Sequence, residues 1–491
     1  MNPQNENWTR INQSILFSKD SPFQVGEEPT VESRDKPTRS RVELEKLYSE
    51  LNDEQKYGLD DNGIFFKHEI IISIEEDERG KNDSEIEVTR TDGSNEKIHL
   101  DLRNSVLKWS IGSKEVKFCL KRCPCGGKIV KITGENAHMI MDGGSGSTTA
   151  SRSTRGLSRI NGLGRNYLSP LFESGSGSGL DSLSYLIQLD RYNFGNKKSK
   201  IIAVIDTGLD LFLSSNKSDD SIKLWENPGK TCENLCGDRF GYNFVDDNEN
   251  VFDDHGHGTE VTSVFAENFG WGNNYRIMVL KAFDAQGHGG SYETACAIYY
   301  AIRHHADIII ASWGSPHFDP NVYLALKAAQ ERKIVTFAAC GNFGEDISKR
   351  ATPFYPALHG FEGVDKDLKL KNLYPIGATE QHKKQPADLW SDSNYHDLVL
   401  ATDGEDINVV TCSYSNAVPD TSVPFNFNYL SSILPVVING TVVKLDYYTK
   451  VVSGTSFATP RAAAMYLAND YALNAETKPS NAKGVKFRDL D

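Results

Sequence analysis

This 491-residue sequence contains few long apolar runs, does not begin with the pattern of a signal peptide and has no excess of positive charge. No apolar stretch approaches the roughly 18 residues of a membrane-spanning helix. The start, MNPQNENWTRINQSILFSKD, is polar throughout and does not predict a secretion signal. The formal net charge of −14 disfavours nucleic acid as a partner. We therefore expect no membrane partner, no nucleic-acid partner and a cytoplasmic location.

Cysteine is sparse, with eight residues in the chain, and a cytoplasmic location predicts that most of them are reduced. Cys232 and Cys236 could form a local disulfide or two free thiols, and the cytoplasm favours free thiols. Cys119, Cys123 and Cys125 resemble half of a zinc site. A zinc site normally needs four ligands, and no second ligand pair is evident, so packing or surface thiols are expected there.

Composition changes along the chain and predicts five segments. They are a polar, loosely ordered segment (1–60), a small β-rich domain (61–142), a Gly/Ser-rich flexible linker (143–180), an α/β domain (181–475) and a polar C-terminal tail (476–491). Length alone favours two or three domains. A helix is predicted within the first segment at LEKLYSELNDEQKYG, which begins at Leu44.

Buried-type strands alternate with helical patterns between residues 201 and 475. The predicted strands are IIAVID (201–206), IMVLKAF (277–283), DIIIASWG (307–314), IVTFAAC (334–340) and LYPIGA (373–378). This alternation predicts an α/β fold with a doubly wound, mostly parallel sheet and helices on both faces. Active sites of such folds lie at the carboxyl ends of the strands.

Two polar residues have positions that suit a cleft at this edge. Asp206 ends the first strand just before a glycine turn, although a turn-capping aspartate is the commoner structural explanation. His257, in DDHGHGTEV, is flanked by glycines at the start of a helical pattern. His255 is its rival but lacks the Gly-Thr-x-Val sequence that follows His257. A metal site here is disfavoured, because no further ligands lie at suitable spacing.

Two more candidates lie further along the chain. Asn342 follows a predicted strand in AACGNFG, where an amide could stabilise an oxyanion or simply form a turn. Ser456 lies in SGTSFATPRAAA, and we expect a helix to begin at or near it. Pro460 is tolerated only in a first helical turn, which sets this start. Ser456 could be a helix cap or a nucleophile, and Ser453 is the rival serine.

The stretches VIDTG, HGHGTEV, ASWGSP, AACGNFG and SGTSFATP together resemble the subtilisin family of serine proteases, in the family's order. The resemblance covers residues 180 to 475. It implies that Ser456 attacks the peptide carbonyl, that His257 acts as general base and that Asp206 orients His257. It also implies that Asn342 and the Ser456 backbone N–H stabilise the oxyanion.

The resemblance further implies that a polypeptide substrate binds as an extended strand between two backbone segments. The matching positions are Gly287, His288 and Gly289 on one side and Ser312, Trp313 and Gly314 on the other. Phe354 falls at the base of the family's primary side-chain pocket. A large residue there predicts a shallow pocket that prefers small or medium side chains.

Catalysis of this kind requires no cofactor, and no metal ligand is predicted. Family members often bind structural calcium, but the loop after Asp206 lacks their usual pattern, so no calcium site is assigned. Residues from Thr411 to Lys450 look like an insertion, which we expect to be either a hairpin beside the cleft or a surface decoration. The resemblance does not extend to residues 1 to 142.

Residues 1 to 142 are predicted to be either an inhibitory prosegment or a domain that recognises a partner. Four linker arginines suggest a processing site, namely Arg152, Arg155, Arg159 and Arg165. The alternatives to a general intracellular endopeptidase are a dedicated processing protease for one partner polypeptide and an inactive binding protein with a protease fold.

Overall fold

The structure is a computed structural model of the whole chain. The residues that it describes are 38–60, 63–75, 83–89, 95–101, 106–111, 114–124, 129–134, 137, 159–171, 193–214, 221–229, 238–349, 351–361, 369–380, 388–397, 399–413, 436–438, 441–443, 446–480, 483 and 486–490. The described residues form two compact bodies, which divide between Leu168 and Ser169. One short described segment, Phe318–Leu324, groups with the first body.

The first body combines one helix with an antiparallel sheet. Helix α1 (Arg39–Leu51) begins at the cap residue Thr38, whose hydroxyl accepts from the backbone N–H of Arg41. The strands are β1 (Tyr57–Leu59), β2 (Ile64–Glu75), β3 (Asp83–Thr89), β4 (Asn95–Asp101), β5 (Val106–Ile111), β6 (Lys114–Arg122), β7 (Ile129–Thr133) and β8 (Arg159–Pro170). Their order is β8-β2-β7-β6-β5-β4-β3, and β1 pairs with β2.

The second body is built on a nine-stranded sheet in the order β10-β11-β9-β13-β14-β15-β16-β22-β21. All neighbours are parallel except β21 and β22. The strands are β9 (Lys200–Asp206), β10 (Gly241–Asn243), β11 (Tyr275–Lys281), β13 (Ile308–Ala311), β14 (Val335–Ala339), β15 (Leu373–Thr379), β16 (Val399–Asp403), β21 (Glu476–Pro479) and β22 (Lys486–Asp489). The predicted mostly parallel α/β fold is therefore confirmed.

Four helices alternate with these strands, as the apolar periodicity predicts. They are α2 (His257–Phe269), α3 (Ser291–Arg303), α4 (Pro320–Glu331) and α5 (Thr455–Ala468). Helix α5 contacts α2 and strands β13 to β16. Because α2 and α5 are buried along most of their length, their first residues are held rigidly at one edge of the sheet.

Two hairpins occupy the predicted insertion. Strand β17 (Ile407–Ser413) pairs antiparallel with β20 (Asp446–Val452), and β18 (Val436–Ile438) pairs with β19 (Thr441–Val443). A further short strand, β12 (His288–Gly290), precedes α3. Strand β20 leads directly into the segment that contains Ser456.

The structure differs from the sequence predictions at two segments. Strand β8 lies within the predicted linker and pairs with β2, and the Arg165 guanidinium lies 3.9 Å from the Phe65 ring centroid. The predicted polar tail supplies β21 and β22, because the Phe487 side chain is fully buried. In both segments a few apolar residues in a polar sequence are enough to fix a strand.

Two of the described cysteines are oxidised. Cys123 and Cys296 are disulfide-bonded, whereas Cys119 and Cys340 are free, and the expectation that most of the eight are reduced stays a prediction. A bonded Cys123 cannot act as a zinc thiolate. Cys232 and Cys236 lie outside the described residues. Spacing alone did not reveal these bonds, because disulfide partners are set by the three-dimensional fold.

Among the described residues, no helix combines the length and apolar character needed to cross a membrane. The described part of the chain also contains no group of three or more His, Cys, Asp or Glu side chains placed to hold a metal ion.

Candidate active site

Asp206 and His257 form a buried pair at the carboxyl edge of the sheet. The Asp206 carboxylate lies 2.7 Å from Nδ1 of His257, and the two side chains are 1% and 2% exposed. Asp206 ends β9, and its Oδ1 also accepts from the backbone N–H of Thr207 at 2.8 Å. The carboxylate therefore sets the orientation of the imidazole and favours a proton on Nδ1.

Glycine makes the close approach of α2 to β9 possible. A Cβ atom on Gly258 would lie 2.3 Å from the carbonyl oxygen of Gly208 and 3.2 Å from Cβ of Asp206. Gly256 caps the helix with φ of 108°, a conformation that favours glycine. The HGHG sequence thus brings the start of α2 against the end of β9.

Asp253 holds this corner together. Its carboxylate accepts from the backbone N–H groups of Gly256 at 2.7 Å and Thr259 at 2.8 Å, and from the hydroxyl of Thr207 at 2.8 Å. Burial raises the pKa of Asp253, but the Lys281 ammonium and these hydrogen bonds outweigh burial, so the pKa is lowered overall. Asp253 therefore stays ionised and fixes the turn before His257.

Ser456 is the second residue of α5 and is held by a reciprocal contact. Its hydroxyl donates to the carbonyl of Ser312 at 3.0 Å, and the hydroxyl of Ser312 donates to the carbonyl of Ser456 at 2.8 Å. The next residue, Phe457, packs against the His257 ring with centroids 5.8 Å apart. The first turn of α5, which carries Ser456, therefore packs against His257 at the start of α2.

Pro460 corrects one detail of the sequence reasoning. It is the sixth residue of α5 and lies beyond the first turn. Proline has no N–H to donate to the carbonyl four residues earlier, which is that of Ser456. The Ser312 hydroxyl fills this position, so the proline is tolerated deeper in the helix than expected.

Asn342 follows β14 and is anchored by Thr455. Its Oδ1 accepts from both the backbone N–H and the hydroxyl of Thr455, each at 2.9 Å. The Thr455 hydroxyl also accepts from the backbone N–H of Gly341 at 3.0 Å. Because Oδ1 is turned to Thr455, the amide donor Nδ2 is directed to the other side, and Asn342 lines the same cavity as Ser456.

The cavity beside Ser456 has a volume of about 20 Å³, which is room for about one water molecule. Three of the predicted substrate positions line it, namely Ser312, Trp313 and Gly314, together with Phe354. The Phe354 side chain is 4% exposed, and one of its ring atoms lies 2.3 Å from where a Gly314 Cβ would be. The Phe354 ring therefore packs closely against Gly314 in the wall of the cavity.

Gly287, His288 and Gly289 lie at the start of β12 and are not among the residues that line this cavity. Gly287 has φ of 75°, and its carbonyl accepts from the backbone N–H of Leu171 at 2.9 Å. Pro170 and Leu171 line the cavity with Ser456. A segment of the chain itself therefore lies along the predicted substrate strand.

Sequence reasoning missed several residues of the site. Thr455 and Asp253 act through side-chain hydrogen bonds that join distant segments, and no local pattern reports such bonds. Leu171 lies in a segment that composition assigned to a linker. The rival histidine, His255, also lies at the site, with Nε2 3.1 Å from where a Gly287 Cβ would be. The rival serine, Ser453, instead accepts from the backbone N–H of Asp406.

Comparison with known proteins shows which family the sequence matches. Residues 197–483, more than half of the chain, match the model of the subtilase family, Peptidase_S8. "Subtilisin-like protease 2" of Plasmodium falciparum is 33% identical over 193 residues, which are 37% of this chain and 14% of that protein. "Intracellular serine protease" of Paenibacillus polymyxa is 30% identical over 179 residues, which are 34% of this chain and 50% of that protein.

Among solved structures, a cold-adapted subtilisin-like serine proteinase matches with a TM-score of 0.39 and 18% identity. The match covers 59% of this chain and 87% of that one. The match covers 14% of the length of the Plasmodium relative and 50% of the length of the Paenibacillus relative.

Proposed function

Because the chain belongs to the subtilase family, we propose that it is a serine endopeptidase that hydrolyses peptide bonds through an acyl-enzyme on Ser456. The observation that carries this proposal is the buried Asp206–His257 pair, 2.7 Å apart, at the start of the helix that packs against Phe457. A base and a residue that orients it thereby lie beside the helical turn that carries the proposed nucleophile, which supports the proposal.

Four residues act in the proposed reaction. The Ser456 hydroxyl turns from the Ser312 carbonyl to Nε2 of His257, gives up its proton and attacks the substrate carbonyl. His257 then passes the proton to the leaving amine, and Asp206 stabilises the imidazolium without taking the proton. Nδ2 of Asn342 and the Ser456 backbone N–H donate to the oxyanion. A water molecule then hydrolyses the acyl-enzyme by the same route.

Labelling with a fluorophosphonate probe tests this proposal. The wild-type chain should be labelled, and the Ser456→Ala variant should not. A Ser453→Ala variant serves as the matched control and should keep its labelling. Labelling that persists in Ser456→Ala, or a wild-type chain that is not labelled in any form, would contradict the proposal.

We also propose that the region before residue 171 inhibits the enzyme until it is cut. The support is local: Leu171 donates to Gly287 in the manner of an added β-strand, and Pro170 and Leu171 lie at the cavity with Ser456. A substrate cannot take this place while the segment occupies it. The bond that is cut should then lie within a few residues after Leu171.

Intact mass after incubation tests this location. Wild-type protein should lose a fragment that ends just after Leu171, and Ser456→Ala should remain whole. Arg152 and Arg155 lie outside the described residues, and Arg165 is paired with Asp60 at 3.2 Å in the first body. Cleavage at the arginines, or full activity of the intact chain, would contradict the proposal.

Substrate preference follows from Phe354. Its ring packs against Gly314 in the wall of a cavity of about 20 Å³, so we propose a preference for small or medium side chains next to the cleaved bond. Cleavage profiling on a peptide library tests this. Strong preference for large aromatic residues would contradict it. Digestion of an unfolded protein such as casein distinguishes a general endopeptidase from a protease dedicated to one partner.

A cytoplasmic location is also a proposal, and the name of the Paenibacillus relative contains the word intracellular. The disulfide bonds of Cys123 and Cys296 are instead typical of oxidising compartments. A thiol count on unfolded, unreduced protein from cells tests the location. A majority of reactive thiols among the eight cysteines supports the cytoplasm, and a majority of disulfide-bonded cysteines contradicts it.

A further inference from the structure

Glu260 is a buried carboxylate that the proposed mechanism does not use. It lies in the first turn of α2, three residues after His257, and its side chain is 4% exposed. Side chains three residues apart on a helix are neighbours, with Cβ atoms about 5 to 6 Å apart. A negative charge on Glu260 therefore lies close to the imidazole of His257.

The partners of Glu260 come from both strands of the β17–β20 hairpin. Nζ of Lys450, on β20, lies 2.7 Å from Oε1 of Glu260. The Thr411 hydroxyl, on β17, also hydrogen-bonds the carboxylate. The next turn of α2 is attached to the same hairpin, because the Val410 backbone N–H donates to the Ser263 hydroxyl at 3.1 Å. The hairpin is thus bonded to two successive turns of the helix that begins at His257.

Lys450 opposes the effect of burial on Glu260. Burial raises the pKa of Glu260 overall, while Lys450, His257 and Thr411 each act in the opposite direction. A buried carboxylate without a partner tends to take up a proton instead of staying ionised. Lys450 lies six residues before Ser456, so the strand that leads to the serine also supplies the cation that keeps Glu260 charged.

We propose that Glu260 is a positioning residue for His257, and that its carboxylate, kept ionised by Lys450, supports the imidazolium that forms during the reaction. This inference rests on the proposed roles of His257 and Ser456. Under this proposal, the β17–β20 hairpin contributes to the reaction because its Lys450 keeps Glu260 ionised. Asp206 holds the imidazole from β9, and Glu260 adds a second negative charge from the helix.

Several charged or titratable groups of the described residues lie around His257. They are Asp206 on β9, Asp253 and His255 in the preceding turn, Glu260 on α2, Lys450 behind Glu260 and Lys281 beside Asp253. Helix α5 contributes Phe457, which carries no charge. Unlike Asp206, Glu260 can be neutralised without breaking the direct hydrogen bond to the imidazole.

The first test is the pH dependence of activity in Glu260→Gln, which keeps the shape and removes the charge. Loss of an anion one helical turn from His257 disfavours the imidazolium. The acid limb of kcat/KM should therefore move to lower pH by about half a unit, and kcat should fall about threefold. Asp307→Asn is the matched control. Asp307 pairs with Lys200 at the same distance of 2.7 Å, at the opposite end of β9, and its loss should not move the limb.

Lys450 provides the second test. Lys450→Met leaves the Glu260 carboxylate without its cation. The acid limb of kcat/KM in this variant should therefore move to lower pH, as in Glu260→Gln. Lys450→Arg should restore the wild-type profile. In the Glu260→Gln background, Lys450→Met should produce no further shift to lower pH, because Lys450 favours the imidazolium only through Glu260.

A direct titration separates this inference from the proposed function. In the inactive Ser456→Ala chain, the titration midpoint of His257 is followed by NMR of labelled histidines, with and without Glu260→Gln. A lower midpoint in the variant supports the inference even if no peptide is cut. An unchanged midpoint, or a Lys450→Met shift that persists without Glu260, overturns it.

Discussion

The hydroxyl groups of Ser456 and Ser312 each donate to the other residue's carbonyl oxygen, at 3.0 and 2.8 Å. This reciprocal pair joins the start of α5 to the end of β13. The Ser312 hydroxyl also supplies the hydrogen bond that Pro460 cannot make, because proline has no N–H to donate to the carbonyl of Ser456. The position of Ser456 therefore depends on a residue 144 positions earlier in the chain.

Ser312→Ala should destabilise the protein by about 1 to 3 kcal/mol, because it leaves the buried carbonyl of Ser456 without a donor. Pro460→Ala restores a backbone N–H at the right place. The cost of Ser312→Ala should therefore be smaller in the Pro460→Ala background. Chemical denaturation of the four combinations measures this. An equal cost in both backgrounds would show that the proline and the serine are not coupled.

Thr455→Val should lower kcat about tenfold and leave KM nearly unchanged. The change removes the hydroxyl that holds Oδ1 of Asn342, so the amide donor is less well placed for the oxyanion. The limit is about 10²- to 10³-fold, which is the loss known when a subtilisin lacks its oxyanion asparagine. Thr459→Val, one turn further along α5, is the control and should keep full activity. A rise in KM alone would contradict this role for Thr455.

Gly258→Ala should destabilise the protein by about 1 to 3 kcal/mol and abolish most activity. Its Cβ would lie 2.3 Å from the Gly208 carbonyl, so α2 would be forced away from β9 and His257 from Asp206. Gly272→Ala is a matched control, because no atom lies within 4 Å of the added Cβ. Denaturation in the Ser456→Ala background measures both changes. Equal stability of the two variants would contradict the close-approach argument.

These predictions show how far sequence reasoning reaches. Apolar periodicity predicted the alternating strands and helices of the second body, because buried strands and amphipathic helices have distinct patterns. Polar residues close to glycines predicted Asp206, His257, Asn342 and Ser456 as site residues, and their catalytic roles stay predictions. The residues that position them were not found, because the Ser312–Ser456 and Thr455–Asn342 contacts join segments more than 100 residues apart.

Other errors of the sequence predictions lie in segments whose polar composition suggested a linker or a tail. Strand β8 and the two last strands lie in polar, glycine-containing or charged stretches, where local propensity is weak. Strand pairing and a few buried side chains decide such segments, and Phe487 is one example. The bond states of Cys123 and Cys296 likewise depend on three-dimensional neighbours.

Phe354→Ala should broaden the cleavage preference to large side chains, with about a tenfold gain for aromatic over small residues. The change removes the ring that packs against Gly314 in the wall of the cavity. Phe361→Ala is the control, because Phe361 is also buried but does not line the cavity. Library profiling of the three proteins measures the preference. An unchanged profile in Phe354→Ala would show that another residue limits the pocket.

His317 should make stability depend on pH. Burial lowers its pKa to about 3, from about 6.5 in the unfolded chain, so the folded protein keeps the ring neutral. Stability from this group is therefore fully present above pH 6.5 and is lost as the pH falls from 6.5 towards 3. The loss should be about 2 kcal/mol between pH 7 and pH 5.

Denaturation of the Ser456→Ala chain at both pH values measures this loss. His317→Gln should remove it, whatever its own cost in stability at pH 7, since only the difference between the two pH values is compared. His305→Asn, at an exposed position with φ of 58° that asparagine tolerates, should leave the difference intact. If His317→Gln loses as much stability between pH 7 and pH 5 as its parent, other buried groups cause the dependence.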